Sequence, residues 1–104
     1  MSFQVRPAAN ADVRDALAWR VRRRQYGAAA GIWAEWVAGQ TAVEAGPRLY
    51  PPAHDAPPGR EVRNYLTRKY GYRIVYEVTP ADIVVLAFVH VRRRSTAWLD
   101  RLSP

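Results

Sequence analysis

The chain has 104 residues, a length that fits one domain with a modest core, so we expect a single domain over residues 1–104. Hydrophobic residues make up 49% and charged residues 24%, a composition that excludes a disordered chain. The lack of cysteine excludes disulfides, thiolate metal sites and cysteine nucleophiles, and the net charge of +7 indicates a nucleic acid, an anionic surface or an acidic protein as partner.

Targeting and metal-binding signals are weak in this sequence. No apolar run reaches the roughly 18 residues that a membrane-spanning helix needs, and residues 1–10 lack the layout of a signal peptide. We therefore expect a soluble, cytoplasmic protein without a membrane partner. His54 lies in a proline-rich stretch without a companion ligand, so we expect neither a metal site nor a cofactor.

The first elements in chain order are a short strand and two helices. Residues 3–6 alternate apolar and polar side chains before a proline, which predicts a short edge strand. Asn10 is the predicted N-cap of the first helix, which ends near Gly27 with that glycine in the left-handed position after the last turn. A second helix is predicted over residues 28–45, with a break at Gly39 as an open alternative.

Strands dominate the second half of the chain. Five prolines in residues 46–59 predict an extended connection. Three strand-like runs follow and predict an antiparallel meander: residues 61–66, 72–78 and 83–91. The third run is apolar on both faces, as in a central strand that helices cover on one side. With helical turns in the tail, the predicted fold class is α+β, in the order β-α-α-β-β-β with a short C-terminal helical turn.

Two segments then carry a resemblance to a known family. They are GYRIVYEV at residues 71–78 and IVVLAFVH at residues 83–90. In this element order, the chain resembles the RelE/ParE superfamily of type II toxins over nearly its whole length. The helical hairpin with its corner at residues 26–27, and Leu99 nine residues after His90, resemble the ParE, or plasmid stabilisation, branch.

The resemblance implies a toxin that arrests bacterial growth and is neutralised by a cognate antitoxin. In the ParE branch the implied target is DNA gyrase, and inhibition by binding requires no catalytic residues. We expect contact with the target through a strand arginine and the basic run after the last strand: Arg73, Arg92, Arg93 and Arg94. We expect the antitoxin to bind at Trp33 and Trp36 of the second predicted helix.

The RelE branch implies a different activity, ribosome-dependent cleavage of messenger RNA. In such an enzyme a cation stabilises charge on the phosphate while a base deprotonates the ribose hydroxyl. The candidate catalytic residues by resemblance are Arg63, Arg73 and Arg93, with His90 as the candidate base. Two positions depart from the RelE pattern: Tyr65 replaces a basic residue and Leu99 replaces the C-terminal tyrosine.

Alternatives from outside the family also follow from the residues. Tyr65 and Tyr72, interleaved with Arg63 and Arg73, would fit a small basic RNA- or DNA-binding module. A purely structural interpretation pairs Arg73 with Glu77 on one strand face and treats the basic run after the last strand as a solvated surface.

Overall fold

The helices and strands of the structure follow the order predicted from the sequence, so the α+β class is confirmed. The computed structural model describes residues 1–93 and 96–102. The elements are β1 (Ser2–Val5), α1 (Pro7–Arg22), α2 (Tyr26–Ala45), β2 (Glu61–Leu66), β3 (Tyr72–Val78), β4 (Asp82–His90) and a 3-10 turn (Ala97–Arg101). Neither helix is long and apolar enough to cross a membrane, as far as the described residues go.

The four strands form one sheet in the order β1-β4-β3-β2. The antiparallel meander of β2, β3 and β4 is confirmed, and β1 adds a parallel edge strand beside β4. Because β4 has a strand on each side, its backbone is paired within the sheet and its side chains are mostly buried. This position explains why its sequence is apolar on both faces.

A β-bulge lies in the middle of β4. Val75 of β3 pairs with Ala87, whereas its neighbour Tyr76 pairs with Val85, so Leu86 is an extra residue in β4. Leu86 and Ala87 both belong to the core on the sheet face away from the helices, and Phe88 belongs to the core under the helices. The bulge therefore shifts by one residue which side chains of β4 face the helices.

Separate apolar clusters cover the two faces of the sheet. Under α1 and α2, the fully buried side chains include Ile32, Val43 and Ile74. On the other face, which we call the outer face, Trp98 of the 3-10 turn is 0% exposed and packs with Val62 and other outer-face residues. The C-terminal turn thus covers this outer-face cluster, which we call the outer core.

The predicted ends of the first helix were wrong. The helix begins at Pro7, not after Asn10, because proline fixes the backbone dihedral that the first helical position needs and lacks only an N–H that would be unpaired there. The corner of the hairpin lies at residues 23–25, not at Gly27, and Arg24 adopts the left-handed conformation with φ of 57°.

The second helix runs through Gly39 without a break. A β-carbon at this position would lie 2.5 Å from Cδ1 of Ile74. Because glycine has no side chain, α2 can pack closely against the sheet, and its contacts there outweigh the low helix propensity of glycine.

Candidate functional site

Positive charge is concentrated at one end of the molecule, where three segments meet. The last turns of α1, the 67–71 loop between β2 and β3, and the residues after β4 contribute to it. The guanidinium of Arg20 lies 5.9 Å from the ring centre of Tyr70, which joins the helix to the loop. We call this end the basic pole, and it holds eight of the 16 lysine and arginine residues: Arg20, Arg22, Arg23, Arg24, Arg68, Lys69, Arg92 and Arg93.

The cations of the basic pole have no carboxylate partner in the part of the chain that the structure describes. Elsewhere, ion pairs join Arg48 and Arg63 to Glu61, Arg60 to Glu77, and Arg101 to Asp12. Within residues 1–93 and 96–102, no side chain of the basic pole forms such a pair. Most of the excess positive charge of the protein therefore lies at this end.

Aromatic rings contact three cations of the basic pole. Arg23 lies over the Trp19 ring at 3.6 Å from its centre, and Arg20 lies 5.4 Å from the same ring. Lys69 lies 5.5 Å from the ring centre of Tyr70, which Arg20 also contacts. We call this set the cation–aromatic ladder. A cation–π contact orients a cation without cancelling its charge, so the ladder presents ordered positive groups to solvent.

A carboxylate of α2 holds the loop that carries two of the five residues of this ladder, Lys69 and Tyr70. Glu35 accepts hydrogen bonds from the backbone N–H groups of Arg68 at 3.0 Å, Lys69 at 2.9 Å and Tyr70 at 3.2 Å. Consecutive N–H groups that converge on one anion form a backbone nest. Gly71, with φ of 72°, then closes the loop in a conformation that favours glycine.

A cleft of about 430 Å³ lies between α1 and the end of β4. Its lining includes Asp12, Asp15, Trp19, Arg20, Arg22, Tyr72, Phe88, His90 and Arg93. Tyr72 stacks on Phe88 at 4.5 Å between ring centres, and His90 meets the edge of Tyr72 at 5.2 Å. The Nδ1 atom of His90 accepts the backbone N–H of Arg92 at 3.2 Å, so neutral His90 carries its proton on Nε2.

The structure brings together only part of the candidate catalytic set. His90 and Arg93 both line the cleft. Arg73 follows Tyr72, which packs under the helices, so strand alternation places Arg73 on the outer face. Arg63 pairs with Tyr76 of β3, whereas His90 pairs with Tyr72. Tyr76 and Tyr72 are four residues apart, or about 13 Å along the strand.

Polar groups of the protein already engage Arg63. Its Nε donates to Glu61 at 3.0 Å and its Nη1 donates to the carbonyl of Tyr50 at 2.7 Å. Burial opposes ionisation of Glu61, but the hydrogen bonds from Arg63 and Arg48 outweigh it and lower the pKa of that carboxyl below its usual value. Arg63 thus fastens the connection before β2 to the sheet.

The remaining basic candidates lie near one another in the chain. Arg92 follows β4 and is exposed at the basic pole, whereas Arg94 lies outside the described residues. Arg60 Nε donates to the Glu77 carboxylate at 2.5 Å, so a cation from the connection before β2 is a partner of Glu77.

The two tryptophans predicted to bind the antitoxin have different environments. Trp36 is 2% exposed and packs edge-on against Phe88, at 5.2 Å between ring centres. Trp33 is 51% exposed, and Tyr26 and Val37 on the same side of α2 are exposed as well. We call these three residues the apolar face of α2. The helix contains no lysine or arginine, so this face is distinct from the basic pole.

Several residues of the site were missed in the sequence. Trp19 and Arg23 lie four apart in one helix, a spacing that predicts contact and was available. The contact between Arg20 and Tyr70, and the nest around Glu35, join segments far apart in the chain and have no local signal. Among the described residues, no group of three or more metal-ligating side chains is placed to hold a metal ion.

Comparison with known proteins identifies the family. A family model described as the ParE toxin of the type II toxin-antitoxin system parDE matches residues 3–98. The sequence matches no curated protein. The fold is similar to a chain solved as the chromosomal ParDE TA system from P. aeruginosa, with a TM-score of 0.73, 17% identity, and coverage of 88% of this chain and 97% of that one. Because the family model spans nearly the whole chain, this protein belongs to the ParE toxin family of type II toxin-antitoxin systems.

Proposed function

We propose that this toxin inhibits DNA gyrase, that it contacts its target through the basic pole, and that a cognate antitoxin neutralises it. The observation that carries the proposal is the set of cations at the basic pole that pair with no carboxylate of residues 1–93 and 96–102. Exposed, pre-oriented charge suits a protein that acts by binding. An action on gyrase takes place in the cytoplasm.

The contact surface includes the predicted arginines as follows. Arg92 and Arg93 lie at the basic pole, and Arg93 also lines the cleft. Arg73 lies at the same end of the sheet, opposite Val89, but on the outer face. We infer that the target reaches around the end of the sheet if Arg73 takes part with the other two.

Geometry favours binding over RNA cleavage. A nuclease needs its cation and its base on the same scissile phosphate. Arg73 lies on the sheet face opposite His90, and Arg63 is held by Glu61 and Tyr50. Of the four candidate catalytic residues only His90 and Arg93 share the cleft, and this incomplete set supports an inhibitor that works by binding.

A pair of assays tests the target. Purified toxin is added to gyrase in a DNA supercoiling assay and, separately, to ribosomes carrying messenger RNA. We expect supercoiling to stop and the messenger RNA to remain intact; cleaved messenger RNA with active gyrase would overturn the proposal. Inhibition should weaken in Arg92→Ala and Arg93→Ala, and Arg14→Ala is the matched control because Arg14 is an exposed arginine in the first half of α1.

For the antitoxin we propose an acidic, partly disordered segment that folds as it docks, covers the apolar face of α2 and neutralises arginine-rich patches. Trp33 supplies a large exposed ring, and burial of its apolar area is not screened by salt. Trp33→Ala should weaken antitoxin binding in calorimetry, whereas Leu49→Ala should not, although Leu49 is 79% exposed. Equal loss in both variants would place the antitoxin elsewhere.

A further inference from the structure

We propose that the basic pole binds the phosphate backbone of DNA directly and that the adjoining cleft receives an unstacked base. The toxin would then engage DNA that its target holds, in addition to the target protein. The choice of DNA over RNA rests on the proposed function, whereas the binding of a nucleic acid rests on the geometry alone.

The cations of the ladder are suited to binding phosphate. Phosphate binding requires cations that are not already paired, because a carboxylate partner must otherwise be displaced. Arg20, Arg23 and Lys69 of the ladder contact rings and not carboxylates. Their cation–π contacts also reduce the side-chain freedom that each would lose on binding a phosphate.

The cleft has the lining expected of a site that binds an unstacked base. Proteins that bind single strands combine a positively charged groove with aromatic rings on which bases stack. Here Trp19, 42% exposed, and Tyr72 line a cavity of about 430 Å³, within the size range of small-ligand pockets. Arg22 and Arg93 on its lining would place cations beside the phosphates of a base held there.

The two carboxylates of the cleft differ in their effect. Asp12 is compensated, because it accepts hydrogen bonds from Arg101 at 2.7 Å and from the backbone N–H of Phe88 at 3.1 Å. Asp15 forms no ion pair with any described residue. Its charge opposes an approaching phosphate, so the proposal predicts that Asp15→Asn tightens DNA binding.

The test is fluorescence anisotropy with a labelled DNA oligonucleotide, single-stranded or duplex, and an RNA of the same sequence, over a series of salt concentrations. We expect the single-stranded DNA to bind with a salt-dependent affinity. Arg23→Ala and Arg93→Ala should each lower the slope of log affinity against log salt by about 0.7, the value for one phosphate contact on a single strand. Arg14→Ala removes the same charge away from the basic pole and should leave the slope unchanged.

A further variant tests the aromatic ring without removing charge. Trp19→Leu keeps every cation but removes the ring on which a base would stack and which contacts Arg20 and Arg23, so it should lower affinity for the single strand several-fold while leaving the salt slope nearly unchanged. Equal binding by Trp19→Leu and the unmodified protein would overturn the base-binding part of the proposal. Equal loss in Arg14→Ala and Arg93→Ala would overturn the basic pole as the site, and binding to RNA alone would overturn DNA as the ligand.

Gyrase supercoiling measured on the same preparations distinguishes this inference from the proposed function. Inhibition of gyrase without DNA binding by the toxin would overturn the inference and leave the proposed function standing. DNA binding without inhibition of gyrase would overturn the proposed function and leave the inference of DNA binding standing.

Discussion

Glu35→Gln tests whether the loop at residues 68–70 must be held in place for the basic pole to bind nucleic acid. The carboxylate uses both oxygens: Oε2 accepts from Arg68 and Lys69, and Oε1 accepts from Tyr70. Glutamine has the same shape but only one acceptor oxygen, and its amide NH2 would face a backbone N–H that also donates. The substitution therefore disrupts the nest without changing any cation.

The size of the effect follows from these three bonds. Hydrogen bonds to a charged group each contribute about 1.5–3 kcal/mol, and the remaining neutral oxygen keeps part of that contribution. Because water can reach this part of the surface, we expect the free energy of unfolding to fall by about 1–2 kcal/mol. In a domain of this length, each kcal/mol lowers the melting temperature by about 4–8 °C.

The direction of the change in nucleic-acid affinity distinguishes the effect of charge from the effect of loop position. Removal of a carboxylate makes the net charge more positive by one unit, so charge alone predicts tighter binding. Loss of the nest loosens the loop that carries Lys69 and Tyr70, so position predicts weaker binding. Glu44→Gln is the matched control, because exposed Glu44 at the end of α2 carries the same charge away from the loop.

Anisotropy with the labelled single-stranded DNA and thermal unfolding would be measured on both variants. We expect Glu44→Gln to bind as tightly as the unmodified protein or slightly more tightly, and Glu35→Gln to bind several-fold more weakly. If the two variants bind DNA equally, the loop does not need the nest, and the reasoning about its position is refuted.

Three further predictions concern the fold around the site. Burial raises the pKa of Tyr76 to about 12, so this tyrosine ionises at a lower pH in the unfolded chain than in the folded one. The stabilisation is fully present below about pH 10. The free energy of unfolding should fall by about 2–3 kcal/mol as the pH rises to about 12. Urea unfolding should show this loss in the unmodified protein and not in Tyr76→Phe. Trp98→Ala empties the outer core and should lower stability by about 3–5 kcal/mol in the same assay, and an unchanged midpoint would contradict its packing role. Arg101→Ala removes the partner of Asp12 and should lower the melting temperature, unlike Arg14→Ala.

Much of the fold could be predicted because its signals are local. The strands carry alternating or continuous apolar runs, and prolines mark the extended connection at residues 46–59. The helix ends were harder, because Pro7 and Asn10 both carry start signals and only the packing of the chain decides between them. Arg24 in the left-handed conformation carried no signal, since that position ordinarily favours glycine.

The candidate site was less accessible to sequence reasoning. Arg92 and Arg93 lie two and three residues after His90 in the chain, so their proximity was evident. The opposite orientation of Arg73 depends on strand parity relative to the core, and the nest around Glu35 depends on tertiary packing. Contacts between segments many residues apart are set by the packing of the whole chain, which one sequence does not display.

The bulge in β4 decides which residues reach the cleft. Without the extra residue Leu86, alternation would turn Phe88 and His90 to the outer face, away from α1. Two side chains hold the backbone at this point: Asp12 accepts the N–H of Phe88 at 3.1 Å, and Arg101 donates to the carbonyl of Leu86 at 3.0 Å. The ion pair between Asp12 and Arg101 thus connects the C-terminal turn to α1 across the bulge. Because that connection sets the direction of His90, the C-terminal turn shapes the cleft without lining it.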